Sequence, residues 1–309
     1  MVANDFLYRP HTYWEDDFTL ERVLELKGDK TIAVIIPTLN EEATIGNVLA
    51  NIPRNLVDEI VVIDSDSTDK TAQEVVKHNA KFYYARNIKP ELGNFTGKGE
   101  NLWKGLFVTK SDIVVYVDSD IQDFSDRFIR GLVGPLLLDK DIKYVKSYYD
   151  RGEFGRVSML SVRPLLAAFF PKVQEIYQPL SGEYASFREV LEDLEYPSGY
   201  SVEISHMIDI FDKYTYKGIA QVNMHTRVHR HHSIETLSKM AFDIMTTILL
   251  KAEQYNKIKF VDASAYGNYL RVWKDVMIGK EKGSKRTEHT SSEKIRPKKN
   301  SINLTKGAS

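Results

Sequence analysis

The chain has 309 residues, 42% of them hydrophobic and 28% charged, which suits one large α/β domain with a smaller appendage. It contains no cysteine, which excludes a disulfide framework and a thiolate metal site and agrees with a cytoplasmic setting. The formal net charge of −1 hides an uneven distribution: from Lys280 to Ser309 nine Lys or Arg face three Glu, a net of +6, leaving −7 on the rest.

Met1–Pro10 lacks the apolar core of a signal peptide, and the most apolar windows, Met159–Phe170 and Ile244–Leu250, are too short for a membrane span. The basic tail is rich in Ser, Thr, Lys and Gly and is expected to be disordered. It has no aromatic interleaving for stacking on bases, so no nucleic-acid partner is expected.

Residues 1–30 alternate polar and aromatic side chains and are expected to form an arm that packs on something, a second subunit among the candidates. The first strand is Thr31–Ile36, ended by Pro37, with Thr38 or Asn40 as the cap of a helix to about Ile52. Glu59–Ile63 is the second strand; Asp64-Ser65-Asp66-Ser67-Thr68-Asp69 follows it and leads into a helix to about His78. Lys81–Ala85 is the third, and Gly97-Lys98-Gly99-Glu100 opens a helix through Val108. The fourth strand, Ile113–Val117, is uniformly apolar, as expected of a strand buried on both faces, and stops at Asp118-Ser119-Asp120. A helix over 126–138 and a fifth strand, Ile142–Tyr148, complete an alternation that predicts a doubly wound parallel sheet. The second half is less regular. Helices are expected from Met159 to Phe170, from Ser181 to Leu194, from about Tyr200 to Tyr214 and, capped by Ser233, to about Tyr255, with a short strand at Ile219–Asn223.

The chemistry-bearing residues follow strands, at the edge where open α/β sheets bind ligands. Residues two apart in an extended chain point the same way, so Asp118 and Asp120 can converge on one hard divalent cation; the competing reading is that Asp-Ser-Asp caps the next helix. Lys98 beside a helix N-terminus suits a phosphate, although neither a P-loop nor a dinucleotide fingerprint is present, which argues against a nicotinamide dehydrogenase. Gly155-Arg156-Val157-Ser158 offers amides, a guanidinium and a hydroxyl to an anion. The stretch from His225 to His232 holds four of the eight histidines and is open between a solvated loop and a metal site. Glu203 is either a site carboxylate or a first-turn acid favoured by its helix dipole.

Pro37-Thr38-Leu39-Asn40-Glu41-Glu42, the Asp64–Asp69 run, Gly97-Lys98-Gly99-Glu100 and Asp118-Ser119-Asp120, in this order, resemble the nucleotide-sugar half of GT-A glycosyltransferases. Gly155-Arg156-Val157-Ser158, Gln178-Pro179-Leu180-Ser181-Gly182-Glu183-Tyr184, Gly199-Tyr200-Ser201-Val202-Glu203 and Arg227-Val228-His229-Arg230 narrow the resemblance to the glucosyl-3-phosphoglycerate synthase family. It runs from about residue 10 to about residue 245. The resemblance implies a GT-A type Rossmann-like parallel sheet and a homodimer that moves glucose from UDP-glucose to 3-phosphoglycerate with retention. The product would be glucosyl-3-phosphoglycerate, a precursor of glucosylglycerate. It also implies Mg²⁺, with Mn²⁺ or Co²⁺ as substitutes.

The domain division expected is a nucleotide-sugar region over 1–150, an acceptor and helical region over 151–279 and the basic tail over 280–309. Pro37, Thr38, Leu39, Glu41, Ser67, Lys98, Asp118, Ser119, Asp120, Tyr200 and Glu203 would bind the nucleotide sugar, with Glu203, Asp118 and Lys98 at the reacting centre. Gly155, Arg156, Ser158, Arg227 and His231 would bind the acceptor, and Asp120 and His229 the metal. The open alternatives are a mannosyl transferase using GDP-mannose and, in another class, a non-catalytic nucleotide-sugar-binding protein. Ser158 stands where the family has threonine, and His231 where it has asparagine. A titratable ring in place of an amide predicts that the acceptor KM changes between about pH 6 and pH 8 in steady-state kinetics.

Overall fold

The computed structural model describes residues 9–150, 155–227, 234–259 and 294–302. β1 (His11–Trp14) leads through a 3₁₀ turn to α1 (Leu20–Lys27), whose Thr19 hydroxyl accepts from the Arg22 amide at 3.3 Å. The expected alternation then follows: β2 (Ile32–Thr38), α2 (Ile45–Ala50), β3 (Glu59–Asp64), α3 (Thr71–Lys77), β4 (Lys81–Tyr84), α4 (Lys98–Val108), β5 (Ile113–Tyr116), α5 (Arg127–Leu138) and β6 (Tyr144–Asp150). A π-helical turn over Ser158–Val162 runs into α6 (Arg163–Phe169). After it come β7 (Tyr184–Phe187), α7 (Arg188–Glu192), β8 (Tyr196–Pro197), α8 (Val202–Tyr214), β9 (Ile219–Thr226), α9 (Ile234–Gln254) and β10 (Ile295–Arg296).

Among the described residues the main sheet has the order β1-β9-β6-β7-β5-β2-β3-β4, all neighbours parallel except at β7, which runs antiparallel to both β5 and β6. β2 is buried along its whole length because both faces are covered. Ile32, Val34 and Ile36 face a core with α2 and α5, while Ile35 faces one shared with α4, α8 and α9, the two-residue period of a strand dividing them. The fold is therefore α/β and dominated by parallel pairing, as expected, with one reversed strand. The sheet takes strands from both sides of residue 150, so the two halves of the chain meet at one carboxyl edge.

Four expectations differ from the structure. The helix expected over Ser181–Leu194 is β7 followed by the short α7. Tyr184 pairs with Tyr116 in register, its ring centre 4.9 Å from that of Tyr116 and 5.3 Å from that of Tyr144, and cross-strand packing of this kind overrides local helix preference. Thr38 and Asn40 do not cap α2, which begins only at Ile45. Asn40 instead takes a left-handed conformation, φ 56°, and its side-chain oxygen accepts from the Thr68 amide at 2.8 Å. The aromatic arm supplies an edge strand, His11 opposite Ala220 of β9. Within the tail expected to be disordered, residues 294–302 carry β10 and a 3₁₀ turn.

α4 approaches the sheet closely at Gly105, where a Cβ would lie 2.6 Å from Ile35 Cγ2. Ile35 is β-branched, fully buried and fixed in a central strand, so it has little room to yield. Gly105→Ala should therefore destabilise the fold by about 1–3 kcal/mol in urea unfolding, although alanine is the better helix former.

Candidate active site

The loops after β2, β3 and β5 converge on the start of α4. Gly97 sits at φ 129°, a conformation side chains resist, and a Cβ there would lie 2.6 Å from the Ser198 carbonyl oxygen. The amides of Gly99 and Glu100 donate to the carbonyls of Gly199 and Ser198 at 3.2 and 3.0 Å. These two first-turn amides are thus satisfied by protein, while Gly97 and Lys98 line the cavity at this helix end. What α4 offers is the Lys98 side chain.

Lys98 Nζ pairs with an Asp118 carboxylate oxygen and, at 2.5 Å, with Glu203 Oε1. Gly182 allows this approach, since a Cβ there would collide with both the Asp118 carboxylate and Lys98 Nζ. On the other side Arg227, from the end of β9, reaches Asp118 Oδ2 at 3.2 Å, Asp120 Oδ1 at 3.1 Å and Glu183 Oε1 at 3.1 Å, and donates to the Tyr149 hydroxyl at 2.5 Å. Burial by itself would raise the Asp118 pKa; Lys98 and Arg227 outweigh it and hold this carboxyl well below the usual range. Burial likewise opposes the charge on Lys98, but Asp118 and Glu203 keep it protonated and raise its pKa. The carboxylates of Asp118 and Asp120 face one guanidinium nitrogen, so their oxygens already surround a single point of positive charge. That hard-oxygen donor set fits a divalent cation.

A cavity of about 300 Å³ opens over this cluster. Of the residues expected to bind the nucleotide sugar, Pro37, Thr38, Leu39, Glu41, Lys98, Asp118, Ser119, Asp120, Tyr200 and Glu203 line it, and so do Gly155, Arg156, Ser158 and Arg227 from the acceptor set. Thr38 Oγ1 has no hydrogen-bond partner among the described residues, whereas the Ser119 hydroxyl donates to the Pro37 carbonyl at 3.0 Å. Ser67 departs from expectation: it does not line the cavity, and its hydroxyl donates to Asp64 at 2.5 Å and accepts from the Asn40 amide at 2.7 Å. It shapes the loop behind the site. Arg227 lines the cavity while its buried guanidinium engages three carboxylates. His229 and His231 lie outside the described residues.

Glu183, Ser65 and Asn101 also belong to this cluster. Glu183 is fully buried against Arg227, Ser65 Oγ donates to Asn101 Oδ1 at 3.0 Å, and Asn101 Nδ2 donates to the Ile63 carbonyl at 2.9 Å. Glu183 lies in the run 178–184, which is its signal in the sequence, whereas Asn101 on α4 carries none. Leu237, Met240 and Ile244 of α9 close the apolar side of the cavity and carry no motif at all.

The glycosyl transferase family 2 model matches residues 33–193. The glucosyl-3-phosphoglycerate synthase of Petrotoga mobilis is 43% identical over 264 residues, covering 80% of this chain and 81% of that protein. The chain belongs to glycosyl transferase family 2, in the group of the glucosyl-3-phosphoglycerate synthases. The enzyme of that name from Mycobacterium tuberculosis is 40% identical over 254 residues, 77% of this chain and 78% of that one. Its crystal structure with Mn²⁺, UDP-glucose and phosphoglyceric acid matches with a TM-score of 0.76 at 42% identity, covering 79% of this chain and 88% of that one. The form with Mg²⁺ and UDP matches with the same score and identity, covering 79% and 87%. Membership of this family makes the chain a hexosyltransferase. Among the described residues no helix is long and apolar enough to cross a membrane.

Lys146, on β6, is fully buried and donates to the Ser181 carbonyl at 2.7 Å, with the Tyr184 ring centre 4.9 Å away. Burial depresses its pKa to about 7, Glu203 opposing and Lys98 adding to the fall. From about pH 7 to about pH 10.4 the unfolded chain holds a proton that the folded one has lost, so this group makes stability rise with pH there, by at most about 1.4 kcal/mol per unit. Below that window the cost of the buried charge is fully present. In urea titrations the stability of Lys146→Met relative to wild type should therefore fall between about pH 7 and pH 9. Parallel pH curves for the two proteins would contradict the depressed lysine.

Proposed function

We propose that this protein transfers glucose from UDP-glucose to 3-phosphoglycerate, with retention at the anomeric carbon and with a divalent cation as cofactor. The observation that carries the reading is one cavity in which the loop Pro37–Glu41, Lys98, Asp118–Asp120 and Tyr200 face Gly155, Arg156 and Ser158. A nucleotide sugar and an anionic acceptor can thus meet over the same carboxylates. Asp120, with His229, would hold the cation, which when bound supplies positive charge to the departing diphosphate. Lys98, kept protonated by its two partners, adds a donor where that charge develops and so favours the transition state over the ground state. Glu203 and Tyr200, which line the cavity, would face the sugar, and Arg156 with Ser158 suits the acceptor phosphate or carboxylate, both of which a guanidinium recognises well. The glycerate hydroxyl oxygen then bonds to the anomeric carbon as the bond from that carbon to the UDP oxygen breaks, and the hydroxyl proton passes to the departing diphosphate.

The absence of cysteine supports a cytoplasmic setting for this reaction. A homodimer belongs to the same reading and is supported by the exposed apolar side chains of Met159 and Leu160. Purified protein incubated with 3-phosphoglycerate and Mg²⁺, in parallel with UDP-glucose, ADP-glucose, GDP-glucose and GDP-mannose, tests the assignment by mass spectrometry. A hexosyl-phosphoglycerate is expected with UDP-glucose, and its formation should fall by about 10²–10³ in Asp120→Ala. Product from GDP-mannose alone would replace the glucosyl reading with the mannosyl one, and binding without turnover would favour a nucleotide-sugar-binding protein.

A further inference from the structure

Residues 294–302 return to the body of the chain against the donor loops. In β10 Ile295 stands opposite Pro197 and Arg296 opposite Tyr196. The Ser198 amide donates to the Lys294 carbonyl at 2.8 Å, and the Lys294 amide to Ser198 Oγ at 3.1 Å. Arg296 is 5% exposed. Its guanidinium meets the fully buried Glu100 bidentately, Nε to Oε2 at 2.6 Å and Nη2 to Oε1 at 2.7 Å. It also donates to the carbonyls of Leu92 and Gly93 at 2.6 and 3.0 Å, and lies 3.8 Å from the Phe95 ring centre and 4.6 Å from that of Trp103. Trp103 Nε1 in turn donates to the Pro297 carbonyl at 3.1 Å.

None of Arg296, Glu100, Trp103 and Ser198 lines the cavity, but their neighbours do: Thr96, Gly97 and Lys98 on one loop, Tyr200 and Glu203 beyond the other. The two loops touch each other through Gly99 to Gly199 and Glu100 to Ser198. We propose that Arg296 is a positioning residue for the donor half of the site, a clamp that locks loop 92–100 to loop 196–203 and so fixes Lys98, Tyr200 and Glu203. A bidentate, stacked guanidinium can do this because its geometry leaves both loops little freedom. Gly155, Arg156 and Ser158 lie on a segment that the clamp does not touch.

The kinetic readout rests on the transferase reading above, so a second readout needs no turnover. Arg296→Ala, and a chain ending at residue 290, are compared with wild type for both KM values and for amide hydrogen exchange. The KM for UDP-glucose should rise on the order of tenfold while that for 3-phosphoglycerate stays within about twofold. Exchange should accelerate at 92–100 and 196–203 and not in β2, β3 or β5. Arg296→Lys, which keeps the charge and loses the fork, should recover part of the donor KM and serves where the other two do not fold. A donor KM within about twofold of wild type, a parallel rise in both KM values, or unchanged exchange in the two loops overturns the inference. A wild-type protein that makes no product from any donor refutes the function instead and leaves the exchange measurement to decide the clamp.

Discussion

The candidate site depends on holding several carboxylates together inside the protein without their repulsion opening the fold. Asp118, Asp120, Glu183 and Glu203 meet under the cavity, and their charges are tolerable because Lys98 and Arg227 are inserted among them. Either cation alone would leave buried charge uncompensated, which costs several kcal/mol in comparable settings, about 3–5 when one partner of a pair is removed. The same pairing holds the Asp118 carboxyl well below the usual range and keeps Lys98 protonated.

The sheet makes this arrangement possible. β5 ends in Asp118–Asp120; the antiparallel β7 beside it delivers Gly182 and Glu183 at its start; and β9, two strands further on, carries Arg227 past its end. Reversing one strand places the beginning of β7 at the edge where the parallel strands finish. Lys98 comes from α4, packed on the same sheet through Gly105, and Glu203 from the first turn of α8. The cluster is thus a property of strand order, its members standing at or just beyond the ends of strands and helices.

Charge also ties the far end of the chain to this region. Glu100 is buried in the first turn of α4, and Arg296 is its bidentate partner across 196 residues of sequence. Stacking on Phe95 and Trp103 covers the faces of the guanidinium, so a strongly polar pair sits in an otherwise aromatic setting. The composition of the tail gave no sign of this, because a single well-placed arginine does not alter a mean.

By itself the sequence determined the alternating strands and helices through β6 and the carboxyl edge at which its motifs gather. These are local: an apolar run stopped by Asp118-Ser119-Asp120 or opened by Gly97-Lys98-Gly99 carries its period and its chemistry within a few residues. Tertiary structure alone decided that 184–187 is a strand, that Ser67 supports a loop while Asn101 and Glu183 belong to the site, that Arg227 is paired, and that 294–302 is ordered. Each of these depends on a partner distant in the chain: Tyr116 for Tyr184, Asn40 for Ser67, Asp118 for Arg227 and Glu100 for Arg296. Pairing energy between distant groups outweighs local propensity, and no window of neighbouring residues contains it.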